Sequence, residues 1–180
     1  MADRAVFVDR DGVVNSCVVI DGRPFAPTEP DDFKILPGVS EALLKLKNAG
    51  YKTVLVTNQP DLSTGKQTWK GLNSMHSALS QRCHFDLIKV CGHVNQDRCT
   101  CRKPKPGLLI EASLELDLIL SESYIIGDRW SDIEAGHQSG CKGSFFIDYG
   151  YAEKRPSGRF TTVRSLKECV ELILGDSRVS

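Results

Sequence analysis

Ala5-Val6-Phe7-Val8 is an apolar run that passes without a polar interruption into Asp9-Arg10-Asp11-Gly12. A strand with one wet face alternates in polarity, whereas a continuous run fits a strand covered on both faces, as in a parallel sheet. The run then delivers two carboxylates one residue apart, and in extended backbone such residues point to the same side. Acids sharing a site raise each other's proton affinity unless a cation or a basic side chain lies between them. Residues 4–9 therefore read as the first strand, and Asp9 and Asp11 call for a metal, further carboxylates or a lysine elsewhere in the chain.

Helix and strand signals alternate after that. Helical faces are expected over 37–50 (Val39, Ala42, Leu43, Leu46), 65–82 (Trp69, Leu72, Met75, Leu79), from Pro106 onward (Leu108, Leu109, Ala112, Leu116), over 129–140, and from a Ser165 cap to 174. Strands are expected over 51–57, 85–91, 124–128, 143–148 and, as a short edge, 160–163. The alternation predicts an α/β fold with a mostly parallel sheet, in which Asp9, Thr57, Lys103 and Asp128 all fall at or after strand ends, where such sheets bind ligands. Residues 16–36 show no sustained period and are punctuated by Asp21-Gly22, Pro24, Pro27 and Pro30; their place after the paired acids predicts a flap over the site.

At 180 residues and 41% hydrophobic, the chain can bury one substantial core, so residues 1–175 are expected to form one domain with 176–180 as a tail. Lys+Arg and Asp+Glu each number 23, and zero formal charge argues against a general nucleic-acid or membrane-surface binder. The first residues lack a secretory pattern and no apolar stretch is long enough for a membrane span. The expectation is a cytoplasmic monomer whose partner is a small molecule.

Seven cysteines are many for such a chain, but an odd, clustered set suggests metal ligation more than a disulfide framework. Cys91, His93, Cys99 and Cys101 lie within eleven residues and form a Cys3His set suited to tetrahedral, structural Zn2+; the plain alternative is reduced thiols with a stray histidine. For Cys17, Cys83, Cys141 and Cys169 buried thiols are the default, with reactivity left open for Cys17. Arg102-Lys103-Pro-Lys105 follows directly, so a metal-pinned loop would carry these cations to one place; the alternative is an ordinary solvated basic run. Asp132 could be a helix N-terminal acid or part of a metal shell, and spacing does not decide between them.

Three carboxylates with no histidine among them suit a hard ion such as Mg2+. With a lysine and a hydroxyl alongside, the set suits phosphoryl transfer, one aspartate attacking phosphorus and a second moving the proton.

Asp9-Arg-Asp11-Gly-Val, Thr57-Asn58-Gln59, Lys103-Pro-Lys-Pro and Gly127-Asp128-Arg129-Trp-Ser-Asp132 resemble, in order, the four motifs of the haloacid dehalogenase superfamily phosphatases. The Cys-x-His and Cys-x-Cys-Arg-Lys-Pro segments resemble the branch acting on D-glycero-D-manno-heptose 1,7-bisphosphate, from which the 7-phosphate is removed, and on histidinol phosphate. The resemblance implies a Rossmann-like three-layer α/β/α sandwich with a zinc-binding loop. The interval from Thr57 to Lys103 leaves no room for a separate cap domain. It implies Asp9 as nucleophile, Asp11 as general acid and base, and Mg2+ held by Asp9, the Asp11 carbonyl and Asp128. Thr57 and Lys103 would grip the phosphoryl group, and Asn58, Gln59, Arg102 and Arg129 would contact substrate. Pro60-Asp-Leu-Ser-Thr-Gly65 departs from the branch's usual Ser-Gly-Ile-Ala-Arg-Gly, removing an arginine and adding Asp61 where a sugar or second phosphate is read. A zinc-stabilised binding module without catalysis is a third reading, against which the intact acids and Lys103 argue.

Overall fold

The computed structural model describes residues 3–176; of the tail expected over 176–180, all but Asp176 lies outside the described residues. The elements in chain order begin with β1 (Arg4–Val8), β2 (Val18–Ile20), β3 (Arg23–Phe25), α1 (Val39–Asn48), β4 (Tyr51–Asn58), α2 (Asp61–Thr64), α3 (Trp69–Ser80) and β5 (Leu87–Cys91). They continue with α4 (Gly107–Leu116), β6 (Tyr124–Gly127), α5 (Trp130–Ser139), β7 (Gly143–Ile147), β8 (Thr161–Val163) and α6 (Leu166–Asp176).

Six strands form one sheet in the order β5-β4-β1-β6-β7-β8, every pairing parallel. The apolar run of β1 explains its place in the middle. Val6 and Val8 pack on one face with residues of α1, α3 and α6, and Ala5 and Phe7 on the other with residues of α4 and α5. All four are fully buried. This is the three-layer α/β/α arrangement expected from the sequence. The chain adds β4 and β5 on one side of β1, then β6 to β8 on the other, so β1 is the point where strand order reverses. The loops leaving the C-terminal ends of β1, β4 and β6 part there and leave a crevice.

Three expectations need correction. The 16–36 segment is not irregular throughout: β2 and β3 form an antiparallel hairpin with Ile20 opposite Arg23. Asp21 and Gly22 take φ of 49° and 72°, the left-handed pair that a two-residue hairpin turn requires. Trp69 is not a core residue of α3; it is 56% exposed, while Leu72, Met75 and Leu79 are buried. Among the four cysteines expected to be buried, only Cys83 and Cys169 are; Cys17 and Cys141 are half-buried, and all seven are free. No helix among the described residues is long and apolar enough to cross a membrane.

Candidate active site

Above the switch point lies a cleft of about 520 Å³, floored by Asp9, Asp11, Lys103, Asp128 and Asp132 and walled by residues of the hairpin, α2, the 92–106 loop and the start of α5. β1 ends at Val8, so Asp9 and Asp11 do not share a face of extended backbone as the spacing suggests. Instead the amides of Val14 and Asn15 bond the Arg10 carbonyl and that of Gly12 bonds the Asn15 carbonyl, which folds 10–15 into a tight turn. Both acids still line the cleft, but in different surroundings.

Asp9 and Lys103 form the centre. The Lys103 ammonium donates to Asp9 Oδ1 at 2.6 Å and the Val56 carbonyl at 2.8 Å, and pairs with Asp132 Oδ1 at 2.5 Å. An ammonium has three protons, so each has an acceptor. Burial disfavours the charge, but Asp132 and Asp9 outweigh it and hold Lys103 protonated above the ordinary lysine value. Burial also pushes Asp9 up, to about 7, with Lys103 opposing and Asp132 and Asp11 adding to the rise. The backbone of Lys103 is fixed too. Asn58 accepts from its amide at 3.1 Å and donates to its carbonyl at 3.0 Å, so the end of β4 clamps a loop that arrives from β5.

Asp128 ends β6 and is fully buried. Neither of its oxygens has a donor in hydrogen-bond geometry among the described residues. Its proton affinity is raised well above the carboxylate range by burial and by the charges of Asp9 and Asp132, with the Tyr151 hydroxyl opposing. The sequence makes room for it. A Cβ on Gly12, whose φ is +88°, would lie 1.9 Å from Asp128 Oδ2, so only glycine fits there. Asp9, Asp128 and Asp132 can each offer an oxygen within 4.8 Å of the others. Asp132, however, already spends both oxygens, one on Lys103 and the other on the Arg129 amide at 3.0 Å, where it also caps α5. Asp132 thus caps α5 and orients Lys103, while each of its oxygens keeps a lone pair within reach of a cation held by Asp9 and Asp128. The orphaned Asp128 carboxylate beside Asp9 fits a hard divalent cation, since an unpaired buried charge is costly without one.

Asp11 is gripped differently. Its Oδ1 accepts from Arg10 Nε at 3.1 Å, Arg10 Nη2 at 2.8 Å and Asn15 Nδ2 at 3.0 Å; its Oδ2 accepts from Gln59 Nε2 at 2.7 Å. Gln59 also bonds the Thr57 hydroxyl at 2.8 Å. Thr57 and Gln59 are buried and do not line the cleft, so Gln59 braces Asp11 from within rather than facing a ligand. Arg10 is the largest fully buried side chain, and its Nη1 lies 3.4 Å from His76 Nε2 on α3. Burial and Arg10 lower the His76 pKa to about 4, so the ring is a neutral acceptor at pH 7. Sequence reading takes His76, beside the apolar stripe of its helix, as structural or solvated rather than catalytic and gives Arg10 no role, although an arginine between two acids just after an apolar strand was a visible signal.

The outer wall carries Arg23, Asn58, Asp61, Asn95, Arg102, Arg129 and Trp130. Arg102 is held by Asn95 Oδ1 at 2.8 Å and the His93 carbonyl at 3.1 Å. Arg129 is paired with Glu153, a residue that sequence reading did not single out. Lys105 does not reach the cleft; its ammonium bonds the Cys99 carbonyl at 2.5 Å. Trp130 lines the cleft rather than the core, with Lys154 Nζ 4.5 Å above its ring. The Cys17 thiol, at the base of the hairpin, is pushed far up by burial and by Asp11, Asp128 and Asp9, which favours the protonated form.

Cys91, His93, Cys99 and Cys101 converge beyond β5, one donor atom of each within 4.8 Å of the rest. Four edges of the set are 3.2 Å (Cys91–Cys101), 3.3 Å (His93–Cys101), 3.6 Å (Cys91–His93) and 3.8 Å (Cys91–Cys99). A tetrahedral zinc with Zn–S bonds of about 2.3 Å spans sulfur–sulfur edges of about 3.8 Å, which Cys91–Cys99 matches and Cys91–Cys101 falls short of, and three thiols with one imidazole are the donors of a closed structural site.

The chain is similar to known proteins. A D-glycero-beta-D-manno-heptose-1,7-bisphosphate 7-phosphatase of Helicobacter pylori is 32% identical, over 95% of this chain and 97% of its own. The Histidine biosynthesis bifunctional protein of Blochmanniella floridana is 35% identical over 79% of this chain but only 41% of its own. Among solved structures, the D,D-heptose 1.7-bisphosphate phosphatase of B. bronchiseptica, complexed with magnesium and phosphate, superposes with a TM-score of 0.83 at 30% identity, covering 96% of this chain and 99% of that one. The profile of the haloacid dehalogenase-like hydrolases matches residues 26–145, and with this sheet, this cleft and these relatives the chain belongs to that family.

Proposed function

We propose that the chain, acting through residues 1–175 as one domain, is a phosphoric monoester hydrolase that removes the 7-phosphate of D-glycero-D-manno-heptose 1,7-bisphosphate or a closely related sugar phosphate. The observation that carries the reading is Asp128, a fully buried carboxylate that no cation pairs among the described residues and that only the Tyr151 hydroxyl approaches, beside a lysine-held Asp9 at the floor of an open cleft. Asp9 and Asp128, with the Asp11 carbonyl, would hold Mg2+, whose charge offsets that of the carboxylates and the phosphoryl group. The phosphate-bound relative supports that assignment.

The residues then divide the work. Lys103 fixes one oxygen of Asp9, and the other attacks phosphorus as the bond to the sugar oxygen breaks. Asp11 gives its proton to that leaving oxygen. It next takes a proton from water, which opens the aspartyl phosphate and releases inorganic phosphate with Asp9 restored. Lys103 would steady the transferred group, Asn58 would keep Lys103 in place, and Gln59, itself bonded to the buried Thr57 hydroxyl, would brace Asp11. The Cys91, His93, Cys99 and Cys101 set would hold structural Zn2+ and so fix the loop that carries Arg102 and Lys103.

Hydrolysis of histidinol phosphate is the second reading, favoured by Asp61, an acid on the outer wall suited to a cationic end. Arg23 and Arg102 on the same wall count against it. Phosphate release from heptose bisphosphate and from histidinol phosphate, with Mg2+ present, separates the two readings. Asp9→Asn is expected to lower turnover by roughly a thousandfold or more. Turnover that survives in Asp9→Asn would sink the mechanism.

A further inference from the structure

The cations that the sequence offers to a second phosphate are Arg102, Lys105 and Arg129, and the fold redistributes them. Lys105 is spent on main-chain carbonyls of the 98–99 turn. Arg129 is neutralised by Glu153. Two guanidiniums on the cleft keep an uncompensated charge. Arg102 is fixed by neutral acceptors only, the Asn95 amide oxygen and the His93 carbonyl. Arg23, at the start of β3, has no hydrogen bond or ion pair from its side chain among the described residues and is exposed at the cleft.

Arg23 is not a loose surface arginine. Arg23, Pro24, Phe25 and Ala26 line the cleft in succession, so β3 is applied to it as a strip. Both ends of that strip are tied. The Gly22 carbonyl accepts from the Ala152 amide at 2.7 Å, and the Pro27 carbonyl accepts from the Gln67 side chain at 3.2 Å. A cation on a pinned strand loses little entropy when it meets an anion, and a guanidinium can grip phosphate with two parallel hydrogen bonds. Floor and wall also differ in charge: the floor holds acids that need a cation, while the wall holds free cations that need an anion.

We propose that Arg23, together with Arg102, binds the distal phosphate of a bisphosphorylated sugar whose scissile phosphate lies on Asp9, which makes the hairpin the specificity element of this chain. The inference rests on the phosphatase reading above. It is tested by the ratio of kcat/KM for heptose 1,7-bisphosphate to that for heptose 7-phosphate, which share the scissile group and differ in the distal one. Arg23→Gln is expected to lower that ratio on the order of tenfold, the worth of one charge-assisted contact, and Arg23→Lys to retain part of it. A ratio unchanged in Arg23→Gln, including equal losses on both substrates, overturns the proposal. Unfolding curves of Arg23→Gln and native protein that coincide assign the effect to binding rather than to the fold. A native protein that turns over neither substrate with Mg2+ defeats the phosphatase reading instead, so the two failures are distinct.

Discussion

Asp128 is where function and stability oppose each other most directly. The folded chain encloses a carboxylate that no cation pairs among the described residues, between the charges of Asp9 and Asp132, and leaving a buried charge uncompensated costs about 3–5 kcal/mol. Without Mg2+ its folded proton affinity lies well above the unfolded one. The folded state therefore binds more protons than the unfolded state at neutral pH, and stability falls as pH rises. Asn keeps the shape and removes the charge. In magnesium-free buffer Asp128→Asn is expected to be more stable than the native protein by about 3 kcal/mol, or roughly 6–12 °C in Tm for a chain of this size. Mg2+ at a hundred times its Kd would stabilise the native protein by about 2.7 kcal/mol and the variant by little, so the gap closes. The assay is thermal unfolding with and without Mg2+, with zinc in both buffers and no chelator, beside phosphate release. A variant that melts at or below the native temperature without Mg2+, or gains as much from Mg2+ as the native protein does, refutes the reasoning.

Gly12→Ala places a methyl carbon where Asp128 Oδ2 now lies, in a backbone conformation that itself costs a side chain about 1–2 kcal/mol. Activity and Mg2+-dependent stabilisation are expected to fall together, and Mg2+ titrations of Tm read the loss. His76 is neutral when folded, with a pKa of about 4 against 6.5 when free. Between those values the unfolded chain holds the extra proton, so stability drops on acidification, by about 3 kcal/mol in all from this group. His76→Gln should flatten Tm against pH across that window; an unaltered slope would show that the ring does not titrate there. Removal of zinc, or Cys99→Ser, is expected to abolish activity in a way that added Mg2+ does not restore, because the 91–105 segment carries both Arg102 and Lys103. Activity retained at zero bound zinc would show that Asn58 alone holds the loop.

The strand ends were legible because they depend on local signals: apolar runs, then Gly-Asp, Thr-Asn or Asp-x-Asp. That placed Asp9, Asp128 and Lys103 correctly at one crevice. What escaped is what nonlocal contacts decide. The reading that aligned Asp9 with Asp11 assumed extended backbone, yet the chain turns at Arg10, and Asp11 meets Gln59 from β4 and a buried arginine backed by α3. Trp69 has core spacing on α3, but periodicity gives only a face and not where the helix leaves its neighbours, and the first turn projects past them. Arg129 and Lys105 looked available as cations because their partners, Glu153 and the Cys99 carbonyl, lie in loops without a pattern. The hairpin was signalled by Asp21-Gly22 between two apolar stretches, and with it Arg23 could have been found.

The position of Lys103 explains what a zinc held by the Cys3His set would do for this fold. β5 is an edge strand, so the loop beyond it has the sheet on one side and little to pack against on the other. Yet Lys103 must cross back over β4 to reach Asp9, which lies beyond β1's last residue. The Asn58 clamp fixes its backbone at that crossing, but two hydrogen bonds offset only a few kcal/mol of the entropy of ordering more than ten residues. Zinc binding by a Cys3His set can contribute on the order of 10 kcal/mol to folding. That would be enough to hold such a loop where apolar burial is scarce, since of the four candidate ligands only Cys91 is buried. Zinc at the edge would thus serve the carboxylates at the centre, because a lysine from the sheet's margin must stand, fully charged, beside an acid at its middle.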